Sequence, residues 1–302
     1  MKNFALIGAA GYVAPRHMQA IRDTSNRLVA AADPHDAVGV LDRWFLDVRY
    51  FPEIERFDRH LEKARRGPEA ERVHYVAICS PNYLHDAHVR LALRVGAKAI
   101  CEKPLVINPW NLDQLAQVEA ETQGEVRAIL QLRHHPRLAA LRDGLGRDPG
   151  RRHRVKLAYV TGRGRWYHAS WKGDEARSGG LPTNIGVHFF DLLLWLFGGA
   201  RSIEVHENDK STISGLLALE RADVEFLLSV DFARLPFAAA PGERTTHRSI
   251  EIDGHEVEFS EGFDELHTRA YQEILAGRGF GIADASPSIE LVHRIREAAR
   301  DA

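Results

Sequence analysis

The 302-residue sequence holds only two cysteines, Cys79 and Cys101. So few thiols exclude a disulfide framework and a cysteine-built metal centre, and they suit a reducing compartment; the expectation is a cytoplasmic protein with no metal. Nor is there an excess of one charge, since 40 Lys and Arg stand against 42 Asp and Glu, for a formal net charge of -2. That balance gives no global attraction to nucleic acid or to an anionic membrane, and a small dissolved partner fits better. Long hydrophobic runs are missing as well. The most apolar stretch, Phe189 to Phe197, is interrupted by Asp191 and ends at Gly198. It falls short of the roughly 18 residues a membrane-spanning helix needs and predicts a core helix. Repeats and low-complexity segments are absent, and the length suits two domains.

What is present begins at the N-terminus. Lys2 to Ile7 reads as a short apolar strand, Gly8 to Ala14 as a glycine turn, Pro15 to Arg22 as a helix and Leu28 to Ala32 as the next strand. The apolar start resembles a short secretion signal, but the pattern that follows it makes a βαβ unit the stronger reading. Its turn, Gly8-Ala9-Ala10-Gly11-Tyr12-Val13-Ala14, is a relaxed dinucleotide fingerprint. The first glycine permits the tight turn, Gly11 lets backbone approach a pyrophosphate, and amides at the helix start meet the negative charge. Asp33 lies 22 residues after Gly11, near the spacing at which a carboxylate accepts hydrogen bonds from ribose hydroxyls. Pro34 and His35 follow it, with no arginine for a 2'-phosphate, so the expected cofactor is NAD rather than NADP.

Val73 to Cys79 is a further strand, broken by Ser80-Pro81-Asn82 before a helix carrying His85 and His88. Ala97 to Cys101 is another, running into Glu102-Lys103-Pro104. Ligands of open parallel sheets sit beyond the carboxyl ends of the strands, so both breaks are site candidates by position. His88 is read as a helix-surface residue. From about Leu132 the pattern changes to strands such as Val155 to Val160, Glu225 to Phe232 and Ser249 to Ile252, with Arg137 to Arg154 as a solvated boundary. The expected fold is an α/β Rossmann domain, a doubly wound parallel sheet over residues 1–131. An α+β domain with a largely antiparallel open sheet follows over 132–302. Within the second half a helix is expected from Thr183, after Gly179, Gly180 and Pro182, placing Asn184, His188, Asp191 and Trp195 on one face.

With Glu102-Lys103-Pro104, Ser80-Pro81-Asn82 and His85, the sequence resembles, over its whole length, the glucose-fructose oxidoreductase, inositol dehydrogenase and rhizopine catabolism family, Gfo/Idh/MocA. The resemblance implies that Lys103 lies beside the nicotinamide and the substrate hydroxyl, and that Pro104 follows a cis bond. It also implies that His188, in the Gly-Gly…His-x-x-Asp pattern, is the second active-site residue. The cofactor set becomes Gly8, Gly11, Tyr12, Val13, Ala14, Asp33, Ser80, Pro81, Asn82, His85, Glu102, Lys103 and Gln131. Many members carry aspartate where Asn184 stands; an anion there would raise the basicity of the histidine, and an asparagine does not.

The stretch Thr183 to Asp191, with Arg163 to Tyr167, Ser170 to Asp174, Glu256 to Ser260 and Leu266 to Thr268, resembles one branch of the family. That branch oxidises the C3 hydroxyl of UDP-N-acetylglucosaminuronate for bacterial surface-polysaccharide synthesis. The resemblance then implies that the hydroxyl proton passes to the protein, and two bases compete for it: Lys103, whose charged form burial and the nicotinamide ring both disfavour, with His188 as relay, or His188, which needs no such shift but lacks the aspartate. Lys172, Thr183 and Asn184, near the reactive helix start, are the candidates for the substrate carboxylate. Arg163 and Arg165 would meet the diphosphate, and Trp171 and Trp166 would stack or pack. It further implies a homotetramer and, in some members, 2-oxoglutarate as acceptor of the hydride. Two other readings stay open: a different sugar or polyol dehydrogenase of the same family, and a nonenzymatic NAD-binding sensor or scaffold.

Overall fold

In the computed structural model, residues 1–301 are described except 147, 149, 241, 242, 258–262 and 264. The N-terminal pattern folds as a run of βα units: β1 (Asn3–Ile7), α1 (Ala14–Asp23), β2 (Arg27–Ala32), β3 (Arg49–Phe51), α2 (Ile54–Arg66), β4 (Tyr75–Ile78), α3 (His85–Arg94), β5 (Lys98–Cys101), α4 (Trp110–Thr122) and β6 (Val126–Ala128). The six strands form one parallel sheet in the order β3-β2-β1-β4-β5-β6. Strands β1, β4 and most of β5 are buried throughout, which explains their near-continuous apolar sequence: a parallel sheet is covered on both faces. In α2, Phe57, Leu61 and Ala64 recur at helical spacing and are the buried positions, so one stripe of that helix faces the core. The strand order reverses between β1 and β4, and their carboxyl ends open there. In this topology that is where a ligand lies.

The remaining elements are α5 (Pro136–Leu145), β7 (His153–Thr161), α6 (Arg165–Ala169), α7 (Glu175–Ser178), α8 (Val187–Phe197), β8 (Ala200–Asn208), β9 (Thr212–Leu219), β10 (Ala222–Ser229), β11 (Thr246–Ile252), β12 (His255–Glu256), α9 (Leu266–Leu275) and α10 (Ile282–Asp301). A second sheet runs β12-β11-β7-β10-β9-β8, antiparallel at every pairing except the parallel β7–β10 pair. Val155 and Leu157 of β7 and Val224, Phe226 and Leu228 of β10 point to the core, while Arg154, Lys156, Asp223 and Glu225 between them are exposed. On the outer face Arg154 stands opposite Asp223 and Lys156 opposite Glu225, pairing unlike charges across the strands.

Helix α8 packs its Phe189, Phe190, Leu192, Leu193, Leu196 and Phe197 into this core. Each such side chain contributes about 1.5–3 kcal/mol by leaving water. The helical stretch Glu175–Phe197 is long and apolar enough to cross a membrane by length and composition, but 72% of its apolar window is buried. The core-helix reading of Phe189 to Phe197 holds.

Three expectations need correction. The chain forms two units, one of residues 1–106, 110–131 and 264–285, the other of 107–109, 132–263 and 286–302. The expected block 132–302 is therefore not one piece: α9 returns to the first unit, where Ala270, Tyr271 and Ile274 join the core of β1, β4 and α1. The strand expected over Glu225 to Phe232 runs Ala222–Ser229 instead, because Asp231 caps a turn by accepting the Ala233 amide at 2.9 Å. The helix expected from Thr183 is already helical at Gly180 and carries a wide, π-type turn over Pro182–Gly186. Gly179, at φ 80°, ends α7 just before it.

Candidate active site

The first unit builds the site from the ends of four strands, β1, β2, β4 and β5. Gly8 follows β1 at φ 90°, and a side chain there would strike the Cys79 carbonyl carbon at 2.6 Å, so only glycine lets β1 and β4 end side by side. The turn closes through the Gly11 amide on the Gly8 carbonyl at 3.0 Å and the Ala14 amide on the Gly11 carbonyl at 3.1 Å. Among the described residues the amides of Tyr12 and Val13 meet no acceptor. They leave two donors at the start of α1, the arrangement that receives a phosphate group. Asp33 ends β2 and accepts the Ala10 amide on Oδ2 and the His35 amide on Oδ1, each at 2.9 Å. It clamps the glycine turn to the loop after β2, and each carboxylate oxygen keeps a lone pair for a ribose hydroxyl. Tyr50 holds that loop from the other side, donating to the Asp33 carbonyl at 2.7 Å. These residues fit a dinucleotide.

At the end of β4, His85 sets Nε2 against the Ser80 carbonyl at 2.8 Å and Nδ1 against the Pro104 carbonyl at 2.6 Å. It thus bridges the two loops at the sheet ends. A neutral ring can donate to only one of those oxygens; burial lowers its pKa, while the two carbonyls favour the proton. His88 is not the surface residue expected of it. It is buried and shares a 2.8 Å hydrogen bond with the Ser80 hydroxyl, and burial lowers its pKa to about 4. Pro81 and the buried Asn82 complete this loop.

Beyond β5, the Lys103–Pro104 bond is cis. Burial pushes the Lys103 amine below the usual lysine range, and the adjacent Glu102 charge opposes the shift. Glu102, expected with the cofactor residues, turns into the interior of the first unit. Its Oε1 accepts from Nε2 of His17 at 3.0 Å and of His267 at 2.8 Å. Gln131 closes the 110–131 stretch of this unit, with its Oε1 buried and unpartnered among the described residues.

In the second unit, Asn184 sits in the π-type turn and donates to the Tyr167 hydroxyl of α6 at 2.9 Å. Thr183 is fully buried, and its hydroxyl has no partner among the described residues. Asn184 lies in the wide turn, out of α-helical phase with His188, Asp191 and Trp195, which follow one another within α8. Asp191 is paired with Arg133, Trp195 lies under Arg142 at 4.5 Å, and the His188 ring meets Tyr159 at 5.8 Å and Phe189 at 4.1 Å. The Lys172 ammonium stands 4.3 Å from the Trp171 ring centre, and Arg163 6.0 Å from that of the half-exposed Trp166. Arg165 opens α6. Tyr167 and Arg133, which engage Asn184 and Asp191, were not singled out from the sequence. The late stretch read from Glu256 to Ser260 lies outside the described residues from Glu258 onward.

Comparison with known proteins agrees with this geometry. Residues 2–129 match the family model described as oxidoreductase family, NAD-binding Rossmann fold, and 150–220 match its C-terminal alpha/beta domain. The WlbA (WbpB) dehydrogenase of Thermus thermophilus, solved with NAD and UDP-GlcNAcA, is 48% identical, covering 98% of this chain and 95% of that one, with a TM-score of 0.92. The same enzyme solved with NAD and alpha-ketoglutarate gives 49% identity, 96% and 93% coverage and a TM-score of 0.90. Inositol 2-dehydrogenase of Rhizobium meliloti (strain 1021) is 27% identical over 198 residues, 65% of this chain and 54% of that protein. The chain thus spans about half the length of that curated relative. On the family matches and on 48% identity across nearly its whole length, the chain belongs to the Gfo/Idh/MocA family of oxidoreductases, with an NAD-binding Rossmann domain at its N-terminus.

Proposed function

We propose that this protein oxidises the C3 hydroxyl of UDP-N-acetylglucosaminuronate to the 3-keto sugar nucleotide with NAD, in surface-polysaccharide sugar synthesis. The observation that carries the reading is the 48% identity, over 98% of the chain, to a dehydrogenase whose solved complex holds NAD and that sugar nucleotide. Bound NAD supplies the hydride acceptor for C3. The chain's own task is to take the hydroxyl proton and hold the sugar. Lys103 is the base in this reading, supported by the burial that disfavours its charged form. His188 holds or relays the proton, and the aromatic rings of Tyr159 and Phe189 support its orientation.

For the sugar carboxylate the reading assigns Lys172, Thr183 and Asn184. The position of Thr183 and Asn184 in the π-type turn before α8 supports that assignment. Arg163 and Arg165 are assigned to the diphosphate and Trp171 to stacking. The alpha-ketoglutarate complex of the Thermus enzyme supports 2-oxoglutarate as the group that reoxidises the cofactor. A cytoplasmic homotetramer belongs to the same reading, and light scattering on the purified protein tests the assembly.

The test is mass spectrometry of the product after incubation with UDP-N-acetylglucosaminuronate, NAD and 2-oxoglutarate. A product two mass units lighter than the substrate, with 2-hydroxyglutarate formed alongside, is expected; turnover of free inositol or glucose alone would select another dehydrogenase of the family. Neutral UDP-N-acetylglucosamine is expected to be a much poorer substrate, and equal kcat/KM would remove the carboxylate contacts from the reading.

A further inference from the structure

We propose that Glu102, His17, His267 and Tyr271 form a buried polar anchor that aims Lys103, so that α9 acts as a positioning element for the reactive turn although it lies more than 160 residues away in sequence. The inference rests on the assignment of Lys103 as the base. Glu102 Oε1 accepts two hydrogen bonds, from His17 Nε2 at 3.0 Å and His267 Nε2 at 2.8 Å, while Oε2 takes the backbone amide of Lys103 at 3.2 Å. A carboxylate is an acceptor only, so both imidazoles carry their proton on Nε2. Neutral His17 must then accept on Nδ1, and the Tyr271 hydroxyl donates to it at 2.7 Å. Every proton in the chain Tyr271–His17–Glu102 is thereby placed.

The anchor draws on elements that meet only in the folded unit. His17 comes from α1, just behind the glycine turn, and His267 and Tyr271 come from α9. Both Glu102 oxygens are engaged, so the carboxylate cannot turn without breaking a hydrogen bond, and the Lys103 backbone is tied to it. Burial alone would raise the Glu102 carboxyl, but the two imidazole donors outweigh it and hold the group well below its usual range. The anion stands beside the Lys103 amine and favours its protonated form. The other titratable groups facing this anchor are Cys79 after β4, Cys101 on β5, His85 on α3 and Arg16 on α1. The buried thiols carry no charge at neutral pH, because burial raises both well above their usual value.

The experiment compares Glu102→Gln, His267→Phe, His267→Gln and Tyr271→Phe with the parent protein in single-turnover NADH formation across pH, with NAD affinity as the control for an intact Rossmann domain. Glu102→Gln should slow the step by on the order of 10- to 100-fold, the loss that goes with a misplaced reacting group. The acidic limb of its pH profile should move to lower pH, since the anion that holds the proton on Lys103 is gone. His267→Phe should lose about tenfold in kcat with KM little changed, and His267→Gln, whose amide can donate to Glu102, should regain most of it. If Glu102→Gln fails to bind NAD, Tyr271→Phe removes a single hydroxyl and should still lower kcat at unchanged KM. Unaltered rates and pH limb in variants that bind NAD overturn the anchor, as does one equivalent of zinc in the purified protein held by His17, Glu102 and His267. Lys103→Met in the same assay separates the two readings: full activity in that variant defeats the base assignment itself, whereas an inactive Lys103→Met beside an unaltered Glu102→Gln defeats only the anchor.

Discussion

Arg133 and Asp191 meet through two hydrogen bonds, Nε to Oδ2 at 3.0 Å and Nη2 to Oδ1 at 2.7 Å, with side chains only 9% and 3% exposed. The carboxylate that sequence spacing placed beside His188 thus anchors α8 to the segment that opens the second unit. His188 gains no anion from position 184 either, because Asn184 is neutral.

Removing one partner of such a pair leaves a buried charge without its counterion. Asp191→Ala should lower stability by about 3–5 kcal/mol. Urea denaturation checks this: a midpoint within experimental error of the parent would mean that water replaces the carboxylate.

Asp33 joins two amides and is the proposed ribose contact. Asp33→Ala should weaken NAD binding on the order of tenfold or more, since a charge-assisted hydrogen bond contributes about 1.5–3 kcal/mol, and should relieve the repulsion of NADP. Titration with both cofactors measures the ratio, and undiminished NAD affinity would remove the ribose contact from Asp33.

His88 makes stability depend on pH. Its folded pKa of about 4 lies below the ordinary value of 6.5, so between those limits the unfolded chain binds a proton that the folded chain does not. Stability from this group is full above about pH 6.5, falls as the pH drops through the window, and levels off below about 4. The loss amounts to about 3 kcal/mol at the lower end. Melting temperatures from pH 7.5 to 4 should therefore decline less steeply in His88→Asn than in the parent, and parallel curves would refute the assignment.

The roles proposed for Lys103 and His188 separate at the chemical step. Lys103→Met should abolish hydride transfer in single turnover, while His188→Asn, which keeps a hydrogen-bonding group, should lose within the roughly 100- to 10,000-fold range of acid-base groups. Steady-state rates would hide the difference if product release were slow, so the burst of NADH is the quantity to compare. The opposite ranking, in variants that fold and bind NAD, would exchange the two roles.

Much of this was legible in local patterns. The strand, the glycine turn, the helix and Asp33 occupy the first 33 residues, and each is specified by near neighbours: a positive φ at Gly8, a proline in the first helical turn, an acidic residue ending a strand. Glu102-Lys103-Pro104 was placed at the end of a strand for the same reason, while the roles expected of it came from the family resemblance. The helix through His188 could be read only in part. Its periodicity was clear, but the π-type turn over Pro182–Gly186 takes Asn184 out of phase with His188, and α-helical spacing cannot anticipate an inserted residue.

The amino-acid sequence by itself therefore determined the order of elements, the parallel sheet and the dinucleotide turn, all matters of spacing and local backbone preference, whereas Lys103 was singled out by the family resemblance of Glu102-Lys103-Pro104. Only the tertiary structure decided what those residues touch. Glu102 was expected among the cofactor residues, and α9, returning to the first unit, sets His267 against it, while His88 looked exposed until α3 packed it onto Ser80. Asp191 was expected beside His188, and the fold pairs it with Arg133, 58 residues earlier. The physical reason is common to all three. A carboxylate or imidazole carries no record in its own neighbourhood of which distant group will satisfy it, and burial, which makes that group obligatory, exists only once the chain has folded.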